Sequence, residues 1–525
     1  MTIKTSLPRV LIAAPKSGSG KTMISCGLMQ VFKENGEDVR AFKCGPDYID
    51  PMFHRRVLGI PSENLDTFFA RPEQIRSQLC ASCAGEEGPA GSIALIEGVM
   101  GIYDGVGGTQ LTGSAYDVAR ITDSPVILVM DVRGMGATML SLIRGLLADD
   151  PDHRIRGVIL NRISSGFYER IRPMIEQLGI EPLGFLPVMK GVGLESRHLG
   201  LKQPEEIESL NEQLRTIAGA LREHVRLDVL RRIMEEAPEL EVTGPEALHS
   251  DVLYSNPDRT EAGETGKGRT EAEEAGMHEE CGHKLTLAVA RDPAFTFYYE
   301  ANLRAFRERG VQIVEFSPLK DACIPKEADA LLLGGGYPEL YGRELSENSS
   351  MRESIREAIG VGMPSLAECG GFMYLHESLT DPDGRSWPMV GVLPGGSANT
   401  GKLCRFGYVE LGVKTVSEAS KACDNGKACD DGKARDDGKA CASGTEYGLL
   451  RAGETVRAHE FHYYDSDTNG EDCTAVKTGA DRTWDCGFLG AEHLWGFPHL
   501  YYPSAPQLVD RFIAQMRSFH CRKEA

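Results

Sequence analysis

Apolar residues in this chain gather in short dense runs separated by longer amphipathic stretches. RVLIAAP, SIALIEGV, SPVILVMDV and RGVILNRI are β-rich and are flanked by segments with helical spacing, the pattern of a parallel sheet covered by helices. KLTLAVARD, VQIVEFSP, ADALLLGGG and MPSLAECGG repeat it in the second half. The pattern predicts an α/β protein of two doubly wound domains.

Two stretches break the alternation. Residues 245–283 contain RTEAGETGKG followed by RTEAEEAGMH, rich in Glu, Gly and Thr, with too little apolar surface to offset the entropy of ordering. Residues 421–444 form a hexad array, KACDNG, KACDDG, KARDDG, KACASG. Cys423, Cys429 and Cys441 recur there beside acidic residues, but Arg435 breaks the series, and hexads of this composition fit a solvated surface loop better than a metal site. The predicted organisation is a first domain over 1–244, a low-complexity linker over 245–283, and a second domain over 284–525 carrying the insert at 421–444.

A length of 525 residues accommodates more than one core. No apolar run approaches the roughly 20 residues of a membrane span, and MTIKTSLPRVLIAAP leads straight into a strand, so a cytoplasmic protein without a membrane partner is expected. A net charge of −20 repels phosphate backbones and argues against a nucleic-acid partner. The 14 cysteines are expected to remain thiols in a large chain of this kind, and Cys80 and Cys83, a lone C-x-x-C, read as packing.

Candidate chemistry begins at the first strand, Arg9–Ala14, which runs into Pro15-Lys16-Ser17-Gly18-Ser19-Gly20-Lys21-Thr22 and then a helical segment. This is a P-loop in context. Gly18 and Gly20 allow the backbone to curl its N–H groups toward phosphate, Ser19 lies between them, Lys21 reaches the β/γ-phosphates, and Thr22 offers a hydroxyl to Mg²⁺. Pro15 stands where the common P-loop has glycine, so the loop resembles the deviant P-loops of dethiobiotin synthetase and MinD-like proteins, in which a second lysine sits near the start. Lys16 occupies that position.

Two acidic segments follow, FKCGPDYIDPMFH at 42–54 and LIEGVMGIYDGVGG at 95–108. Each places carboxylates at a strand end, and Thr22, Asp47 and Glu97 make a plausible oxygen set for Mg²⁺ bound with ATP.

A second constellation lies in LAECGGF, between a strand and a helix. The small-residue turn forces Cys369 onto a tight elbow and aims the Gly370 N–H at an oxyanion, while the helix N-terminus is expected to lower the thiol pKa. Gly334, Gly335 and Gly336 form another glycine loop, with Gly335 able to donate a second N–H. A nucleophilic cysteine needs a base, and His459, His462, His493 and His499 are the candidates. His499 is chosen because it lies in a turn before the last helix.

Taken together, SGSGKT, KCGPDYIDP, IEGVMGIYDG, RHLGL, LGGGYPEL, AECGGFMYL and HEFHYY resemble the cobyrinate a,c-diamide synthase family over nearly the whole chain outside the two repetitive stretches. The resemblance implies a dethiobiotin-synthetase-like ATP domain followed by a class I, triad-type glutamine amidotransferase domain. It implies that Cys369 is the glutaminase nucleophile and His499 its base, and that the protein amidates cobyrinic acid with ATP and L-glutamine through an acyl phosphate. Asp47, Tyr48, Asp50 and Asp104 are implied around the reacting carboxylate and metal, with Asp47 or Asp50 also able to hold ammonia. Arg197, His198 and Arg405 are candidates for substrate carboxylates, and Asn161 matches a base-contacting position. In most triad amidotransferases a glutamate two residues after the histidine orients it. Tyr501 stands there, so some other acceptor is expected to steer His499.

Rival readings share parts of this pattern. Hydrogenobyrinate and nickel-sirohydrochlorin a,c-diamide synthases carry several of the same motifs. A P-loop ATPase switch with an inactive amidotransferase-like module is favoured by Lys16 and disfavoured by the presence of Cys369, Gly370 and His499. A homodimer is compatible with all of them.

Overall fold

In a computed structural model describing residues 2–84, 91–189, 191, 204–243, 284–414 and 448–524, the first domain is built on seven parallel strands. Their order is Ser62–Leu65, Asp38–Cys44, Ser92–Glu97, Arg9–Ala13, Val126–Asp131, Ile155–Asn161, Glu181–Leu186. Alternate residues of the Arg9–Ala13 strand face two different cores. Leu11 and Ala13 join Phe42, Leu128 and Leu160 on one side, and Val10 and Ile12 join Leu28, Leu95 and Ile217 on the other. Helices cover both faces, which is why these strands are apolar at nearly every position.

The chain runs outward to one side of Arg9–Ala13 and then to the other, so strand order reverses in the middle of the sheet. Open α/β sheets bind ligands outside the carboxyl ends of strands at such a point. The P-loop, Glu97 and the Gly45–Asp50 segment all emerge there.

Thr2–Thr5 pairs antiparallel with Leu240–Thr243, joining the start and end of the first domain. Beside them the fully buried Arg9 guanidinium donates to the carbonyls of Leu7, Thr122, Asp123 and Pro238.

The second domain has a six-stranded sheet ordered Gln312–Phe316, Thr286–Ala290, Ala330–Leu333, Ser365–Glu368, His493–Gly496, Phe488–Leu489, parallel except for the last pair. Cores again lie on both faces. The strand runs read from the sequence account for the first four of these six strands.

Besides a two-stranded pairing of Phe295–Phe297 with Gly335–Gly336, the domain carries two larger sheets that the sequence pattern did not predict. One is antiparallel, ordered Thr483–Cys486, Cys473–Lys477, Arg405–Val413, Thr455–His462, His499–Leu500. The other, mixed, joins Ser386–Pro388, His376–Thr380, Leu393–Asn399 and Tyr464–Ser466. Half-buried strands such as RFGYVELGV bury only alternate residues, Val409 and Leu411 here, and lack the dense apolar run that marks the parallel strands.

The antiparallel sheet meets the first domain along one face. Tyr408 donates its hydroxyl to Asp66 Oδ2 at 2.7 Å, Arg457 donates to the Phe68 carbonyl at 2.6 Å, and Arg304 pairs with Glu63. Tyr299 and Tyr501 of the second domain are part of the first domain's core.

Cys80 and Cys83 pack in that same core. No helix among the described residues is long and apolar enough to cross a membrane. The repetitive stretches at 245–283 and 421–444, with Arg197 and His198, lie outside the described residues.

Candidate active site

Gly18 and Gly20 adopt φ of 77° and 98°, the left-handed backbone that glycine accepts without strain, and the helix Lys21–Glu34 starts directly after them. Lys21 Nζ donates to the Met100 carbonyl at 2.5 Å and to the Lys16 carbonyl at 3.4 Å. Met100 itself takes φ of 44°, which turns its carbonyl toward Lys21. Burial, with Lys43 nearby, brings the Lys21 ammonium down to about 8. The Lys16 side chain is exposed and its carbonyl accepts the Ser19 hydroxyl.

Beneath the loop lies a charge network that the sequence reading only half anticipated. Thr22 Oγ1 donates to Glu97 Oε1 at 2.6 Å, bringing two of the three predicted metal ligands together. Lys43, missed from sequence, bridges Glu97 at 2.8 Å and Asp50 at 2.5 Å with its side chain only 5% exposed. Burial alone would raise the Glu97 carboxyl, but Lys43 and His54 hold it well below the usual carboxylate range. The same carboxylates keep Lys43 charged despite its burial.

His54 is sealed, with Nδ1 on Ser62 Oγ at 2.9 Å and Nε2 3.6 Å from Glu97 Oε2. Cys26, His54 and Glu97 offer donor atoms within 4.8 Å of one another, all three buried and mixed in donor type. The hydroxyl and carboxylate oxygens of Thr22, Glu97 and Asp47 are the hard donors that suit Mg²⁺.

Asp47 Oδ1 accepts the N–H groups of Ile49 and Asp50 at 2.8 and 3.2 Å, starting the short helix Ile49–Phe53. Asp104 Oδ2 accepts the Gly101 N–H at 2.9 Å and so shapes the loop that carries Met100. Asn161 donates to the Ser19 carbonyl at 3.0 Å, bracing the P-loop, while its buried Oδ1 has no hydrogen-bond partner. Arg405 stacks its guanidinium 4.9 Å from the Trp484 ring centre.

In the second domain the strand Ser365–Glu368 passes through Cys369 into the helix Gly370–Leu375. Cys369 holds φ 47° and ψ −104°, a strained backbone for a residue with a side chain and the mark of a nucleophile elbow. The Cys369 N–H bonds the Gly496 carbonyl at 2.9 Å, and the Gly371 N–H bonds the Gly334 carbonyl at 2.9 Å, tying the elbow to the second glycine loop. A side chain at 370 would meet Pro338 at 2.9 Å and the Gly336 nitrogen at 3.0 Å, so the two loops approach as backbone.

The expected lowering of the thiol pKa is reversed. Burial pushes the Cys369 thiol up, with Glu339 adding to it, and the Gly370 N–H only partly offsets them. A six-residue helix cannot outweigh complete desolvation.

Hydrogen-bond partners distinguish the four histidines. His462 is committed to the Tyr464 carbonyl at 2.6 Å and Glu460 at 3.1 Å. His493 stacks on Trp495 with centroids 4.1 Å apart, and His459 Nδ1 meets the Tyr299 hydroxyl at 2.9 Å. His499 packs directly against Gly335, where any Cβ would strike its ring. Its Nδ1 has no hydrogen bond, and Glu368 Oε2 lies 3.9 Å from it. Tyr501 is turned away onto Phe69, stacked at 5.0 Å.

The two sites touch through Tyr48. Its ring lies 5.2 Å from that of His499 and 4.5 Å from that of Tyr299, while the flanking Asp50 holds Lys43 of the nucleotide site.

Comparison with known proteins finds the same two domains. Residues 10–201 match the CobQ/CobB/MinD/ParA nucleotide binding domain, and residues 286–494 match the CobB/CobQ-like glutamine amidotransferase domain. The chain is 33% identical to the cobyrinate a,c-diamide synthase of Caldanaerobacter subterraneus subsp. tengcongensis over 513 residues, 97% of this chain and 98% of that one. It is also 33% identical to the proteins of that name from Listeria innocua serovar 6a, over 95% of this chain and 98% of that one, and Thermoplasma volcanium, over 99% of each. With a P-loop domain and a cysteine-elbow domain in one chain and relatives matching across nearly its full length, the protein belongs to the cobyrinate a,c-diamide synthase family of glutamine-dependent, ATP-using amide ligases.

Proposed function

We propose that this protein amidates the a and c side-chain carboxylates of cobyrinic acid in cobalamin biosynthesis, using ATP to activate each carboxylate and glutamine as nitrogen source. The observation that carries the reading is the contact of Tyr48 with His499, because it joins a glutaminase elbow to the segment that holds Lys43 beside a P-loop. An ATPase switch has no use for a nucleophile elbow at that point. The acceptor is supported by the name shared by the full-length relatives.

Carboxylate is a poor electrophile, and phosphorylation corrects this. A carboxylate oxygen of the acceptor attacks the γ-phosphorus of ATP, the bond to the β-γ bridging oxygen breaks, and ADP leaves an acyl phosphate behind. Lys21 and the N–H groups of Gly18–Thr22 neutralise charge on the phosphoryl oxygens. Thr22, Asp47 and Glu97 would hold Mg²⁺, which supplies further charge neutralisation there. Lys16 lies at the loop's open edge, and Asn161 Oδ1 is free to accept from the adenine amino group. Tyr48 and Asp104 border the acceptor, and Arg197 and His198, outside the described residues, are the sequence candidates for its carboxylates.

At the other site His499 takes the Cys369 proton and sulfur attacks the glutamine side-chain carbonyl, with the N–H groups of Gly370 and Gly335 facing the oxyanion. His499 returns the proton to the leaving nitrogen, and ammonia departs. Water then cleaves the glutamyl thioester, releasing glutamate and restoring the thiol. Ammonia attacks the acyl carbon, aided by Asp47 or Asp50 accepting a proton, and phosphate leaves as the amide forms.

The test supplies ATP and glutamine with cobyrinate, hydrogenobyrinate or nickel-sirohydrochlorin, and counts amides by mass spectrometry. Two amides on cobyrinate, fewer on the other two, and loss of glutamine-dependent product in Cys369→Ser are expected. A glutaminase left intact by Cys369→Ser refutes the site, and a preference for another macrocycle refutes the acceptor alone.

A further inference from the structure

We propose that Glu368, the residue immediately before the nucleophile, is the positioning carboxylate that orients His499 and stabilises its charged form during glutamine hydrolysis. The inference rests on the reading of Cys369 as glutaminase nucleophile and supplies the acceptor that Tyr501 cannot.

A histidine that takes a proton through Nε2 must keep its other proton on Nδ1, and an acceptor facing Nδ1 fixes that tautomer. His499 Nδ1 is buried without a hydrogen bond, and Glu368 Oε2 lies 3.9 Å from it. The other carboxyl oxygen is anchored, since the Tyr502 hydroxyl donates to Oε1 at 2.6 Å. The Leu500 N–H also bonds this carboxyl, so the group is held in place with Oε2 facing the imidazole. Catalytic hydrogen bonds are often long before substrate arrives, and a small rotation closes this one.

Chain geometry makes the pairing reproducible. Glu368 sits opposite Gly496 in the parallel ladder, and His499 follows Gly496 in the next turn, so the same backbone that presents Cys369 brings the carboxyl to the imidazole. The side chains are 6% and 3% exposed. Among the described residues His499 is the only basic group in ion-pair reach of Glu368. A carboxyl buried this deeply is costly unless a partner uses it.

The groups facing Glu368 are His499, Cys369, Tyr502, Tyr298, Tyr299 and Tyr48. Burial keeps all four tyrosines neutral, leaving the carboxyl, imidazole and thiol to share protons. Burial also holds the Glu368 carboxyl up at about 8, against the hydrogen bonds from the Tyr502 hydroxyl and the Leu500 N–H, which favour the ionised form. Ionisation of Glu368 is what allows the proton on His499 to be stabilised once the thiol has given it up.

Glu368→Gln tests this by two readouts, steady-state glutaminase and alkylation of Cys369 by iodoacetamide across pH 6–10. A fall in glutaminase kcat of roughly 10²- to 10⁴-fold is expected, the range seen when a triad carboxylate is neutralised, with KM for glutamine little changed. Alkylation should match wild type near pH 6, where Glu368 is protonated in either case, and fall behind it as pH rises through about 8, where the wild-type carboxyl ionises. Tyr502→Phe should keep most activity but move the alkaline limb of the wild-type profile upward. Wild-type kcat with an unshifted alkylation profile in Glu368→Gln overturns the proposal, as does alkylation lost equally at every pH. If Glu368→Gln does not fold, a limb unmoved in Tyr502→Phe overturns it. Glutaminase surviving in Cys369→Ser would refute the underlying reading instead.

Discussion

The ring of Tyr48 packs on the imidazole of His499 with centroids 5.2 Å apart, although the first belongs to the nucleotide-binding domain and the second to the amidotransferase domain. Tyr299 and Phe297 enclose the same ring, at 4.5 and 5.1 Å. Any movement of the 46–50 segment when nucleotide and acceptor bind is therefore felt by the glutaminase base. Tyr48→Ala should uncouple the sites. Glutamate released per amide formed is expected to rise from near one to severalfold above it, measured by paired assays of both products. A ratio unchanged by the substitution would show that coupling runs elsewhere.

Gly335 provides a more local probe. A Cβ there would collide with the His499 ring, and because the neighbouring strand fixes the glycine loop, the imidazole must give way. Gly335→Ala should reduce glutamine-dependent amidation about 100-fold, in line with the cost of misplacing a catalytic group by about 1 Å. Amidation driven by added ammonium salt should stay within about twofold. Equal loss of both activities would mean that the substitution disturbs more than the base.

Lys43 joins stability to catalysis. It lies between two buried carboxylates, and removing one partner of such a network typically costs about 3–5 kcal/mol. Burial already raises the Asp50 carboxyl to about 8 against the pull of Lys43, while Glu97 is held low; in Lys43→Met both lose their counter-charge and shift upward, Glu97 the further. A raised carboxyl contributes stability at low pH that is lost as pH rises through the folded pKa. The variant's deficit against wild type should thus grow between pH 5 and 8 in thermal unfolding, and phosphoryl transfer should fall with it. A deficit independent of pH would mean that Lys43 acts only through packing.

Most of the nucleotide loop and the cysteine elbow could be read in the sequence because their backbones demand particular residues at fixed spacing. Gly18 and Gly20 occupy left-handed φ, and the glycines after Cys369 meet neighbouring backbone. Lys43 and Glu368 escaped notice for a shared reason. Each is a single charge inside an apolar strand, AFKC and SLAE, and reads as a polar interruption until the partner across the fold is known. A charge in a strand buried on both faces must be paired, and that signal was available. Its place before the last helix selects His499 from four histidines, and the tertiary contacts add a physical reason, since His462 and His459 are engaged by partners that no spacing rule indicates. The thiol pKa was misjudged for the same kind of reason, since burial is a property of the packed molecule.

Asp66 makes the domain interface itself sensitive to pH. Its carboxyl is buried and accepts the Tyr408 hydroxyl from the other domain at 2.7 Å, together with the N–H groups of Phe68 and Phe69. Those three donors favour the ionised form, as does Arg457, but burial outweighs them and raises the carboxyl to about 6. An unfolded aspartate titrates near 3.9, so the folded chain binds a proton more tightly at this position than the unfolded chain does. The associated stability is complete below about pH 4 and lost as pH rises through about 6, at most about 3 kcal/mol for a shift of roughly two units. Asp66→Asn cannot ionise and removes this dependence while leaving other titrating groups in place. The difference in unfolding free energy between wild type and Asp66→Asn should therefore shrink between pH 4.5 and 7.5 in urea titrations that follow both domains. A difference that widens with pH would mean that Asp66 is ionised at the interface and that the three hydrogen bonds, not desolvation, set its charge.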